Sequence, residues 1–161
     1  MDFHAGDTVM HWAHGLGTVI RRERREVLGH KASYYAVRIG GMVVWVPIDE
    51  LIGKRLRTPA GKLRFKRTVA LLAKPGALLP VDRHERKLVL AEYLRDGSVE
   101  GLVRVMRCLL AQRRLRVLND SDQAVMHRVQ TVLLAEWAHV LCVTPIEAEL
   151  QLNDLLRPAA G

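Results

Sequence analysis

Apolar residues recur at every second position as far as Val46 and at every third or fourth position beyond Thr58-Pro59, so the chain changes secondary structure partway along its length. The first part must be β and the second helical. Gly40-Gly41 lies between two alternating segments, Tyr34 to Ile39 and Met42 to Val46, and is a two-residue connection of the kind that closes a type I′ or II′ hairpin. Residues 6–12 and 17–28 read as two earlier strands punctuated by Gly15 and Gly17, with Gly29 ending the second. That second strand carries Arg21, Arg22, Arg24 and Arg25, which suits an edge facing solvent or a partner. Pro47 ends the fourth strand, and Arg55-Leu56-Arg57 adds a fifth at the edge. The expectation is a five-stranded, SH3-like or Tudor-like barrel.

Beyond Thr58-Pro59, Pro59 reads as the first residue of a helix running to about Ala73, where Lys74-Pro75-Gly76 stops it. Leu78-Leu79-Pro80 connects it to a helix from about Arg83 to Arg95. Asp96-Gly97-Ser98 is a stop followed by an N-cap, and Val99, Leu102, Val103, Met106, Leu109 and Leu110 form a core-facing stripe. Asn119-Asp120-Ser121 caps a long helix to about Val143, and Thr144-Pro145-Ile146-Glu147 is a capping box that opens a last helix to about Leu156. The expected class is β + α: a barrel over residues 1–57, a connecting helix and linker over 58–76, and an all-helical bundle over 77–161. Cys108 and Cys142 both fall in apolar helical patterns and read as small buried hydrophobes.

The formal net charge of +8 belongs to the first half: residues up to Lys74 hold 14 basic and 6 acidic residues, and the rest hold 11 of each. Within the helical half, residues 76–117 carry 9 basic against 5 acidic and residues 118–161 carry 2 against 6. A neutral half can therefore still present a basic face, and such polarity points to an anionic partner, nucleic acid ahead of membrane. No apolar run approaches the ~18–20 residues of a membrane span, and no signal-peptide core is evident, so a soluble, cytoplasmic protein is expected.

Catalytic and metal chemistry are poorly supported. His11 and His14 lie in the first hairpin, His127 and His139 are twelve apart on one helix, and no HExxH or cysteine cluster accompanies them. Ser33, Ser98 and Ser121 sit in turns or caps, and Gly15-Leu16-Gly17 lacks the frame of a dinucleotide site. Trp12, Tyr34, Tyr35 and Trp45 are too few to supply both a core and an aromatic cage. Neither an enzyme, a metal nor a cofactor is expected.

Phe3, Gly6-Asp7, Val9, His14-Gly15, Gly29, Tyr34-Tyr35, Val46-Pro47, the Leu79-Pro80 link, Asp96-Gly97 and the capped last helices together resemble the CarD and CdnL bacterial transcription factors. Their barrel is shared with the RNA-polymerase-interacting domain of transcription-repair coupling factors. The resemblance spans nearly the whole chain. It implies a barrel docked on the RNA polymerase β subunit and a helical domain held against promoter DNA upstream of the melted region, stabilising the open complex. The polymerase contacts it implies fall on Arg25, Val27 and Trp45, and an edge such as Val43 to Val46 can add backbone hydrogen bonds to a partner sheet. Alternation with Val44 and Val46 puts Trp45 on the opposite face from them.

The family also places a minor-groove wedge tryptophan at the start of the helix after the Leu-Pro link. Counting back from Asp96-Gly97 puts that position at Arg83. Arginine can enter a narrow, negative minor groove where an apolar wedge would unstack a base step. Arg83, Arg86 and Lys87 recur at i, i+3 and i+4 with His84 beside them, and are the expected DNA contacts. Arg104, Arg107, Arg113, Arg114 and Arg116 form a second stripe that either extends the phosphate footprint or serves a helix C-terminus. The rival reading is a polymerase-independent nucleic-acid-binding or adaptor module; a monomer suffices for either.

Overall fold

The computed structural model describes residues 2–157. Five antiparallel strands, β1 (Thr8–His11), β2 (Gly15–Val27), β3 (His30–Ile39), β4 (Met42–Pro47) and β5 (Leu56–Arg57), form one sheet in the order β4-β3-β2-β1-β5. Six helices accompany it: α1 (Ile52–Arg55), α2 (Lys62–Ala70), α3 (Arg83–Tyr93), α4 (Val99–Leu115), α5 (Asp120–Val140) and α6 (Pro145–Leu156). The β + α class is as the sequence predicts. The barrel, however, is not closed. β5 has two residues and pairs with β1 alone, and α1 fills the gap to β4, where the Arg55 guanidinium donates to the Pro47 carbonyl at 3.4 Å and to Asp49 at 2.6 Å.

Gly40 has φ +59 at the first turn position of the β3–β4 hairpin, the conformation a two-residue connection demands there. Between Val19 and Arg21 the β2–β3 register shifts, and this β-bulge reverses the faces: Val19 pairs with buried Val37, while Arg21 pairs with Ala36 rather than following Val19 inward. Strand β2 pairs β1 through Thr18; its charged half beyond that pairs β3 alone, a free edge as the sequence predicts, and from Arg24 to Val27 the two strands continue as a two-stranded arm.

The three predicted N-caps, Ser98, Asn119 and Thr144, all form, and the structure adds a fourth at Asp82. Asp82 accepts from the Glu85 N–H at 2.9 Å, Ser98 from Gly101 at 3.1 Å, Asn119 from Asp122 at 2.8 Å and Thr144 from Glu147 at 3.1 Å. Helix α2 starts later than Pro59 suggests, after Gly61, because the Ala60 N–H is held by Glu136 Oε2 at 2.8 Å and the chain there stays extended. Cys108 is buried as expected, but Cys142 is exposed. Its φ is +54 and the next N–H, of Val143, donates back to the Ala138 carbonyl at 3.1 Å, so Cys142 occupies the left-handed stop position of α5 rather than its apolar face.

Two cores result. The smaller joins Phe3, Val9, Val19, Tyr35, Val37, Ile39, Val46 and Leu56 inside the sheet, with the Phe3 and Tyr35 rings edge-on at 5.6 Å. The larger gathers α2 to α6 and also takes Met10 from β1. Phe65, Val69 and Leu72, from the segment read as a connection, lie within this larger core. Among the described residues, no single helix is long and apolar enough to cross a membrane.

Candidate functional site

The outer face of the sheet collects the first group of sequence-predicted residues. Val46 is buried beneath it and Val44 packs against the same inner core, so alternation turns Val43 and Trp45 outward. Trp45 lies across from Ala36, and Ala36 across from Arg21, in one row. The Arg25 guanidinium stands 3.8 Å from the centre of the Trp45 ring and that of Arg21 5.4 Å from it. Glu23 lies between the two cations, its carboxylate 3.4 Å from Arg21 Nε and 3.9 Å from Arg25 Nε. Val43, 44% exposed, is two residues along β4, which forms the free end of the sheet order. Val27 shares this face but sits at the far end of the arm, opposite His30. The structure therefore brings Arg25, Val43 and Trp45 into one patch and leaves Val27 apart. Arg21, named in the sequence only among the basic residues of this strand and not as a polymerase contact, joins the patch because of the bulge.

The second group divides. Arg83, His84 and Lys87 are exposed on α3, whereas Arg86 is buried. Its Nη2 lies 3.0 Å from Asp122, and its Nη1 donates to the carbonyls of Pro80 and Val81 at 3.2 and 2.9 Å. Arg86 thus ties the Leu79-Pro80 link and α3 to the start of α5, and the shared face expected for it with Arg83 and Lys87 is not formed. The helix turns it inward alongside Leu90. Arg83, His84 and Lys87 line a groove between α3 and the first turns of α5, with Ala91, Leu94, Asp120, Ser121 and Arg128.

In the second stripe, Arg107 is similarly engaged, donating to the Lys74 and Pro75 carbonyls at 3.1 and 2.8 Å. Arg104 covers the Tyr93 ring at 3.8 Å. Arg113, Arg114 and Arg116 remain exposed at the end of α4.

Sheet and helices are joined by an ion pair not anticipated from the sequence. Arg57 of β5 donates to both carboxylate oxygens of Glu136 on α5, at 2.6 and 2.7 Å, and through Nε to the Gly97 carbonyl at 2.6 Å. Glu136 is fully buried. Nearby, Gly15, with φ +87, brings the β1–β2 turn against α5; a Cβ there would touch Ala135 and Val132 at 3.5 and 3.6 Å. The same turn is organised by His11, whose Nδ1 accepts the N–H groups of Ala13 and His14 at 3.1 Å each. Burial, and secondarily the neighbouring His14, lowers its pKa to about 4, so the acceptor nitrogen stays unprotonated. Among the described residues, no group of three or more His, Cys, Asp or Glu side chains is placed to hold a metal.

Residues 3–58, the sheet and α1, match the family model described as the CarD-like/TRCF RID domain. Over 138 residues the chain is 24% identical to the Bacillus subtilis (strain 168) protein titled "Putative transcription factor YdeB", a match that covers 83% of this chain and 89% of that protein. Residues 3–58 are accordingly a CarD-like/TRCF RID domain, and the similarity over 138 residues supports placing the chain with the CarD/CdnL family.

Proposed function

We propose that this chain is a non-enzymatic transcription regulator that docks its sheet on the β subunit of RNA polymerase. Its helical part lies on promoter DNA upstream of the melted region and stabilises the open complex. The observation that carries the reading is the Arg25-Trp45 stack at 3.8 Å beside exposed Val43 on the end strand of the family-matched sheet. An indole already desolvated on one side by a guanidinium presents a rigid aromatic anchor at low entropic cost, and the free edge of β4 can extend a partner sheet. Arg83 and Lys87 supply exposed cations for phosphates, with the exposed His84 imidazole beside them, and phosphate contacts position a protein without reading sequence.

The test is capture of the full-length chain by the isolated polymerase β-subunit lobe. Wild-type chain is retained, while Arg25→Glu and Trp45→Ala are lost. Absence of capture for the wild type sinks the polymerase reading, and DNA binding without capture favours a polymerase-independent module instead. In the open complex, Arg83→Trp lengthens the lifetime if Arg83 occupies the wedge position; an unchanged lifetime places the wedge elsewhere or nowhere.

A further inference from the structure

Trp12, like Trp45, is absorbed by neither core, and among the described residues it is the most exposed of the tryptophans: it is 50% exposed, whereas Trp137 is 2% exposed. An indole left in water forgoes a large apolar burial, so its position calls for a cause. The turn that carries it is rigid. The Trp12 N–H donates to the Arg55 carbonyl at 3.0 Å, the His11 imidazole holds the next two N–H groups, and Gly15 seats the turn on α5. The side chain is therefore presented rather than merely loose. Arg128 of α5 stands 5.4 Å from the ring centre.

Arg128 also lines the groove between α3 and α5, so Trp12 marks one end of a surface that continues to Lys87 and Arg83, one helical turn apart. Ala91 and Ser121 keep the groove open with small side chains. Its acids are Asp120 and Asp122, and Asp122 is neutralised by Arg86, so Arg83, Lys87 and Arg128 leave the lining net positive.

We propose that Trp12 and this groove hold a DNA strand with an unstacked base, the base on the indole and its neighbouring phosphates on Arg128, Lys87 and Arg83. A flat aromatic followed by a row of cations matches the alternation of base and phosphate, and every base offers a π-face to such a platform. An acidic peptide would satisfy the cations but would leave the indole without a role. The inference rests on the DNA reading above and names a residue of the β1–β2 turn, not of the helical part, as the group that meets the base.

The experiment uses the full chain and two labelled DNAs, a duplex and the same duplex with a short mismatched bubble, read by fluorescence anisotropy. Wild-type protein binds the bubble more tightly than the duplex. Trp12→Ala weakens bubble binding by about tenfold, within the range of one base-aromatic stack, and leaves duplex binding unchanged. Trp12→Phe retains most of the preference, and Lys87→Ala weakens both DNAs. The proposal is overturned if Trp12→Ala keeps the preference, if it weakens both DNAs alike, or if a polyglutamate competes as well as the bubble. Duplex binding without bubble preference overturns the stacking site and leaves the DNA reading standing; binding to neither DNA overturns both.

Discussion

His11 ties a single titration to the shape of the β1–β2 turn. Its pKa is lowered from an ordinary 6.5 to about 4, chiefly by burial, so the folded chain binds fewer protons than the unfolded chain between those values. The neutral imidazole's contribution is complete above the unfolded value and is lost as pH falls from 6.5 through 4, by about 2 kcal/mol between about pH 7 and 4.5. Urea unfolding at those two pH values measures it, and His11→Gln has a smaller difference than wild type; equal differences refute the assignment. At Arg25 the energies run the other way. An exposed cation-π contact is worth about 0.5–1 kcal/mol, so Arg25→Glu leaves the fold intact and its effect on polymerase capture reports binding.

Among the elements, two arginines paired with buried carboxylates hold what the strands and helices alone would not. Arg57 anchors β5 to α5 through Glu136, and Arg86 anchors α3 and its link to α5 through Asp122. Removing one partner of a buried pair leaves an uncompensated charge, so Arg57→Met and Arg86→Met each cost about 3–5 kcal/mol, visible as a lowered Tm. Arg83→Ala, three residues from Arg86 but exposed, leaves Tm nearly unchanged. Comparable losses for Arg83 and Arg86 would contradict the inward placement of Arg86. The contrast also governs mutagenesis of the proposed DNA face: weaker DNA binding by an Arg86 variant reflects a disturbed fold, whereas Arg83 and Lys87 variants test the proposed contact directly. On the sheet, the bulge beside Ile20 has the equivalent role, since it turns Arg21, Glu23 and Arg25 onto the Trp45 face.

Across the whole molecule, Met10 from the sheet enters the helical core and Glu136 from the helices closes on β5, so the two halves share buried groups. A single cooperative transition is expected, with far-UV circular dichroism and tryptophan fluorescence unfolding together. A fragment of residues 59–157 strands Glu136 without Arg57 and is expected to be markedly less stable than the full chain; two separate transitions would show instead that the halves fold independently. The sequence by itself determined the elements: the Gly40-Gly41 hairpin, the outward side of Trp45 and the helix caps at Ser98, Asn119 and Thr144 follow from period and local hydrogen bonding, which act over a few residues. Only the tertiary structure decided the open sheet, the bulge that recruits Arg21, the inward turn of Arg86, the exposure of Cys142 and the meeting of Trp12 with Arg128. Arg86 and Asp122 are 36 residues apart and Arg57 and Glu136 are 79 apart. A lone arginine in a helical pattern carries no mark of the distant carboxylate that makes its burial affordable, and so periodicity assigns it to the surface.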